Sequence, residues 1–123
     1  MRKRERIIIT CGEFDPLSHE ELKFLQKCRQ RGDWLIVGIH SDWWMLYARG
    51  GFMQSYDTRR EIISNLRCVD EILSFNDGDG TVCQLLKIAK IVYPDVEMVY
   101  ISQEDMHNMP ETKIRGITFE TLK

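Results

Sequence analysis

Ile7-Ile8-Ile9-Thr10-Cys11-Gly12-Glu13-Phe14-Asp15-Pro16-Leu17-Ser18-His19 decides the fold. A β-branched apolar run of this kind makes a buried strand, and the glycine turns the chain. An amphipathic helix follows from Ser18 to Arg31, with Leu22, Phe24, Leu25 and Cys28 as its apolar stripe. Ser18 with Glu21 three residues on has the form of a capping box. Strand, turn and helix in this order bring backbone N–H groups and the positive end of a helix dipole to one corner, which suits a phosphate. Every parallel sheet holds ordinary βα turns of similar outline. The detail that sets this one apart is Gly-x-Phe-Asp-Pro.

Outward from that corner, Arg31-Gly32-Asp33 ends the helix and opens a second strand, Trp34 to His40. Ser41 to Tyr56 reads as irregular. A helix from Asp57 to Arg67 turns Ile62, Ile63 and Leu66 inward, and a third strand covers Glu71 to Phe75. Asn76-Asp77-Gly78-Asp79-Gly80 is a turn; it lacks the later ligands of a calcium loop. A helix from Thr81 to Val92 stops near Pro94, and a strand follows from Val96 to Ile101. A polar loop, Ser102 to Lys113, leads to a short last strand at Gly116 to Phe119. The alternation predicts an α/β fold, a parallel sheet of about five strands with helices on both faces and right-handed crossovers. Ligands of such sheets bind at the carboxyl ends of the strands, so the loops after strands one, two and four face one site.

The chain has 123 residues and a net charge of −2. That length predicts a single domain, and that charge leaves no bulk electrostatic footprint for nucleic acid or an anionic membrane. Arg2-Lys3-Arg4-Glu5-Arg6 precedes an apolar run too short for a signal peptide or a membrane span, and reads as a solvated lead-in. Cys11, Cys28, Cys68 and Cys83 form no C-x-x-C pair, so no zinc site is indicated. They read as small buried thiols of a reducing compartment, the cytoplasm.

The opening motif carries a resemblance. Gly12-Glu13-Phe14-Asp15-Pro16-Leu17-Ser18-His19-Glu20-Glu21 resembles the G-x-F-D-x-x-H-x-G-H signature of the cytidylyltransferase-like nucleotidylyltransferases. These include glycerol-3-phosphate cytidylyltransferases and sugar-phosphate adenylyltransferases. Gly32-Asp33-Trp34-Leu35-Ile36-Val37-Gly38-Ile39-His40-Ser41-Asp42 is similar to the family's G-D-x-L-x-V-G-x-x-S-D strand. Asp57-Thr58-Arg59-Arg60-Glu61-Ile62-Ile63 is similar to its E-x-R-x-x-I-I helix, and Val69-Asp70-Glu71-Ile72 to its V-D-E-V strand. The likeness runs from about Ile7 to Pro110 in the family's order. It implies a Rossmann-like nucleotidylyltransferase fold and transfer of a nucleoside monophosphate from CTP or ATP to a small phosphorylated alcohol or sugar. Magnesium as cofactor and a homodimer are implied in the same way.

On that resemblance Gly12, Glu13, Phe14 and Asp15 form the nucleotide cradle, with Phe14 under the loop and Asp15 either tying the loop down or reaching a metal through water. Asp42 stands near the substrate, or else caps a helical turn at Trp43-Trp44. Arg59 contacts phosphates or holds the loops of the site. Trp43 and Trp44 either stack on a base or pack under the loop or in a subunit interface. The departures lie in the signature. Ser18, Glu20 and Glu21 replace histidine, glycine and histidine. Ser18 offers one hydrogen bond without charge. His19 is the candidate to compensate, although a shift of one helical residue is a rotation of ~100°. Ser102-Gln103-Glu104-Asp105 is acidic where related chains carry a glycine-rich stretch, and Thr118 to Lys123 contains no Ser/Thr-rich phosphate turn. A second reading follows from these departures: a member without catalysis that serves as a nucleotide-binding or protein-interaction module.

Overall fold

The structure, a computed structural model, describes residues 4–122. Of the expected basic lead-in, Arg2 and Lys3 lie outside the described residues, as does Lys123. The elements are β1 (Arg6–Gly12), α1 (His19–Arg29), β2 (Trp34–Ile39), α2 (Asp42–Arg49), α3 (Tyr56–Ser64), β3 (Glu71–Ile72), α4 (Cys83–Val92), β4 (Glu97–Ser102), a 3-10 turn (Pro110–Lys113) and β5 (Ile117–Thr121). The five strands form one sheet in the order β3-β2-β1-β4-β5, and every pairing is parallel.

Alternation along β1 sends its side chains to two cores. Ile8 packs with Phe24, Leu25, Cys28 and Ile63 from α1 and α3. Ile7 and Ile9 pack with Leu85, Leu86 and Ala89 from α4 on the opposite face. Both faces are therefore covered by helices, and the central strands read as continuous apolar runs.

The departures from the sequence reading have local causes. The segment read as irregular contains α2. Its Ser41 side chain caps the Trp44 N–H at 3.0 Å, and Gly50 ends it in the left-handed conformation with φ 79°. Only Met45 of this helix is buried, so no inward apolar stripe marked it. Helix α3 stops at Ser64 because the Ser64 and Asn65 side chains take up the Glu61 carbonyl at 2.9 and 2.8 Å. As an edge strand β3 pairs through only two residues. The chain between β4 and β5 is long enough for the crossover that parallel strands need, with a 3-10 turn in place of a helix.

The passage from α1 into β2 leaves no room for a side chain. A Cβ on Gly32 would lie 2.6 Å from the Arg6 carbonyl oxygen, and the Asp33 carboxylate beside it accepts the Glu5 and Arg6 N–H groups at 2.9 and 3.0 Å. Gly32→Ala should therefore lower stability by about 1–3 kcal/mol, read as a lower urea midpoint at unchanged m-value. An unchanged midpoint would show that this approach is not a constraint.

Candidate active site

A cleft of about 510 Å³ opens at the carboxyl ends of β1, β2 and β4. Cys11 and Gly12 end β1, His40 follows β2 and Ser102 ends β4, and all four line it. The chain leaves β1 first toward β2 and later returns to β4 on its other side, so this is the topological switch point of the sheet.

Arg59 shapes the cleft from behind. It is 0% exposed. Its Nε donates to the Gln54 carbonyl at 3.0 Å, and Nη1 donates to the carbonyls of Glu13 and His40 at 2.9 and 2.8 Å. Nη2 donates to the Asp42 carboxylate at 2.9 Å, and the same Asp42 oxygen accepts the Tyr56 N–H at 2.8 Å. Asp15 adds a second tie, its two oxygens accepting the Met53 and Gln54 N–H groups at 2.8 and 2.6 Å. The loop after β1, the end of β2 and the segment between α2 and α3 are fastened to one another by these contacts.

For Arg59 and Asp15 these contacts select one of the two roles left open, and for Asp42 they change both. Arg59 has no surface left for a phosphate and acts as a positioning residue. Asp42 faces this lock and does not line the cleft, and the cap of the helix at Trp43-Trp44 is Ser41. Asp15 lines the cleft while its oxygens tie the loop down.

The corner at the start of α1 is filled by the chain itself. Ser18 caps the helix, its Oγ accepting the Glu21 N–H at 3.0 Å while Glu21 Oε1 accepts the Ser18 N–H at 3.0 Å. A carboxylate thus occupies the helix end where the family motif predicts a phosphate. His19 lines a separate depression with Glu20, Lys23 and Lys27, because its helical offset turns it away from the cleft. Gly12 and Glu13 line the cleft, and Phe14 lies beneath the loop at 3% exposure with φ 52°. A side chain on Gly12 would meet the Phe14 ring at 2.7 Å, so the glycine admits that ring. Trp43 is exposed and stacks on Tyr47, whereas Trp44 lines the cleft.

The inner wall holds residues that the motifs left unmarked. His40 stacks on Trp44 with ring centroids 3.8 Å apart, and its Nδ1 lies 3.1 Å from Asp77 Oδ2. A carboxylate only accepts, so Nδ1–H donates and Nε2 is left bare in the neutral ring. Asp77, from the supposed simple turn, also accepts from the Ser41 N–H and hydroxyl at 2.9 and 2.6 Å. Glu111 is 4% exposed; its Oε2 accepts the Val82 N–H at 3.0 Å and its Oε1 has no partner. Leaving a buried acceptor unmet costs about 1–3 kcal/mol, and more for a charged group. The position of His40 at a strand end was the available signal for it. Glu111 sits in a polar loop with no periodicity, and nothing local marked it.

Charge in the cleft is one-sided. Glu13, Asp15, Glu21, Glu104 and Glu111 line it against a single guanidinium, Arg49. Arg49 is already held by Glu13, with Nη2 2.7 Å and Nε 3.1 Å from the carboxylate. Among the described residues no three His, Cys, Asp or Glu side chains stand close enough together to hold a metal ion. Burial raises the pKa of Cys11 and pushes Cys28 up to about 12, so neither is a nucleophilic thiolate at neutral pH. No helix among the described residues is long and apolar enough to cross a membrane.

Two outcomes follow from this geometry. Arg59→Met strands the Asp42 carboxylate and three carbonyls, and should cost near the lower end of ~3–5 kcal/mol in a denaturation curve, since the part-exposed Asp42 is screened by water. A loss below about 1 kcal/mol would show that the loops hold without it. Burial lowers the His40 pKa below its ordinary 6.5, outweighing the upward pull of Asp77. The unfolded chain therefore binds the proton more readily, and the His40 contribution to stability, present above about pH 6.5, is lost as pH falls below it. The melting temperature should drop between about pH 7 and pH 5, and drop less in His40→Gln; parallel curves would remove His40 as the cause.

The cytidylyltransferase-like family model matches residues 9–120. The glycerol-3-phosphate cytidylyltransferase of Bacillus subtilis (strain 168) is 36% identical over 66 residues, 54% of this chain and 51% of that protein. The bifunctional protein HldE of Helicobacter pylori (strain J99) is 30% identical over 124 residues, 97% of this chain and 26% of that protein. The chain thus spans about half the length of the first relative and about a quarter of the second. Among solved structures, a lipopolysaccharide core biosynthesis protein from Thermoplasma volcanium superposes with a TM-score of 0.67 at 21% identity, covering 97% of this chain and 94% of that one. A nicotinic acid mononucleotide adenylyltransferase from Plasmodium falciparum gives 0.55 at 19% identity over 80% and 50% of the two chains. These two likenesses show a shared Rossmann-like fold. With its parallel sheet, its switch-point cleft and a match over nearly its full length, the chain belongs to the cytidylyltransferase-like family.

Proposed function

We propose that the cleft binds CTP or ATP and that the chain transfers the nucleoside monophosphate to a small phosphorylated alcohol or sugar. An oxygen of the acceptor phosphate attacks the α-phosphorus, the bond to the β-phosphate oxygen breaks, and pyrophosphate leaves. The observation that carries this reading is the switch-point cleft itself, its loop after β1 and the end of β2 fastened together by Arg59 in a chain of this family. Such a reaction needs alignment and charge neutralisation more than covalent help from the protein. Alignment is what the rigid loops from Gly12 to Asp15 and at His40 supply.

Neutralisation is the weak side of this cleft. Arg49 is the cation at the rim, and reaching a phosphate would mean exchanging Glu13 for it. The acidic lining repels a bare triphosphate, so the substrate on this reading is the magnesium complex of the nucleotide, the ion arriving with the phosphates. A lost charge-assisted contact at the transition state, worth ~1.5–3 kcal/mol, slows the reaction by about one to two orders of magnitude. Turnover should accordingly be slow. A homodimer accompanies this reading, supported by the exposed Trp43, Leu46 and Tyr47 on α2.

A second reading, binding without transfer, is favoured by one observation: Glu21 sits at the α1 terminus and His19 lies outside the cleft. Pyrophosphate release from CTP and ATP, with glycerol phosphate and sugar phosphates as acceptors, decides between them when run beside a thermal-shift titration. Release with any pair supports transfer. A shift in melting temperature without release supports binding alone, and neither result would sink both. Ser18→Ala should cost about 0.5–2 kcal/mol of stability through the lost cap and leave nucleotide affinity unchanged. A drop in affinity of about tenfold would instead place Ser18 against a phosphate.

A further inference from the structure

We propose that Glu111 makes the inner wall of the cleft select a base with an exocyclic amino group, cytosine or adenine; the inference rests on the nucleotide-binding reading above. Glu111 lines the cleft, is 4% exposed and leaves Oε1 without a partner while Oε2 is fixed on the Val82 N–H at 3.0 Å. Native proteins pair nearly all such buried groups, so an orphaned carboxylate oxygen in a ligand cleft marks the place of a ligand donor. His40 adds a second acceptor, since its Nδ1–H is taken by Asp77 and the neutral ring keeps a bare Nε2.

The surroundings state what kind of donor fits. Trp44 and His40 are stacked with only 14° between their planes, and Tyr100 and Met106 line the same cleft. Flat aromatic and soft apolar side chains suit a planar ring whose edge carries the polar group. A phosphate is the wrong partner for a carboxylate. An amino group donates to Glu111 Oε1, whereas the carbonyl that replaces it in uracil or hypoxanthine sets acceptor against acceptor. A site built to meet one hydrogen-bonding group discriminates strongly against an analogue that lacks it.

The pairs CTP against UTP and ATP against ITP differ mainly at this group, so calorimetric titration of the four magnesium nucleotides into the full chain tests the assignment. At least one amino-bearing member should bind about tenfold or more tighter than its carbonyl counterpart. In Glu111→Gln the amide oxygen takes over the Val82 N–H and the NH2 faces the cleft, so the preference should fall below about threefold or invert. Equal binding within both pairs by the unaltered protein overturns the inference and leaves the nucleotide reading standing. A variant that loses affinity for all four by one factor, with its preference intact, overturns the role of Glu111. No binding of any nucleotide overturns the inference together with the nucleotide reading. If Glu111→Gln does not fold, competition of cytidine with uridine and of adenosine with inosine on the unaltered protein decides: a preference for the amino-bearing member of either pair supports the inference and equal competition within both pairs overturns it.

Discussion

The site depends on one buried guanidinium. Removing Arg59 from water is unfavourable unless its donors are met, and here two backbone carbonyls at strand and loop ends, a third in the loop before α3 and the Asp42 carboxylate meet them. Because the acceptors come from three separate segments, the charge can be satisfied only when all three are in place. Arg59 thereby couples the shape of the cleft to the completion of the fold. Its planar fork reaches several acceptors at once, which a lysine ammonium on a flexible stem does not reproduce.

Around that fixed frame, the polar groups that face a ligand have changed character. The helix end that offers its dipole to an anion is occupied by Glu21 through a capping box, and the rim cation is occupied by Glu13. Both arrangements stabilise the chain locally, and both compete with a phosphate for the same partners. The inner wall, in contrast, holds an unmet acceptor at Glu111, with His40 on aromatic surface in the same cleft. The cleft is organised more for a donor-bearing ring than for unshielded phosphates.

Much of the fold was legible in the residues. The Ile7-Ile8-Ile9 run, the capping box at Ser18 and the Gly32-Asp33 turn announce their structures locally, because strand burial, helix capping and tight turns depend on neighbours a few residues away. Helix α2 escaped for the complementary reason. Its outer face keeps Trp43, Leu46 and Tyr47 exposed while Met45 is buried and Trp44 turns to the cleft, so large apolar residues stand on both faces of a helix only about two turns long and do not mark an inward stripe. Of the candidate residues, Gly12, Glu13, Phe14 and Asp15 stand where the motif puts them, while His19 faces elsewhere and Arg59 and Asp42 turn from ligand contacts into supports.

The sequence by itself determined the order of the strands and of the helices other than α2, the family, and the sheet edge at which the cleft opens, since these follow from periodicity and from motifs read within short windows. Only the tertiary structure decided which side chains face that cleft. Arg59 meets Glu13 and His40, Asp77 meets His40, and Glu111 meets Val82 across separations of 46, 19, 37 and 29 residues. No local pattern encodes such meetings. They arise when parallel strands bring their carboxyl ends together and buried polar groups must find partners there.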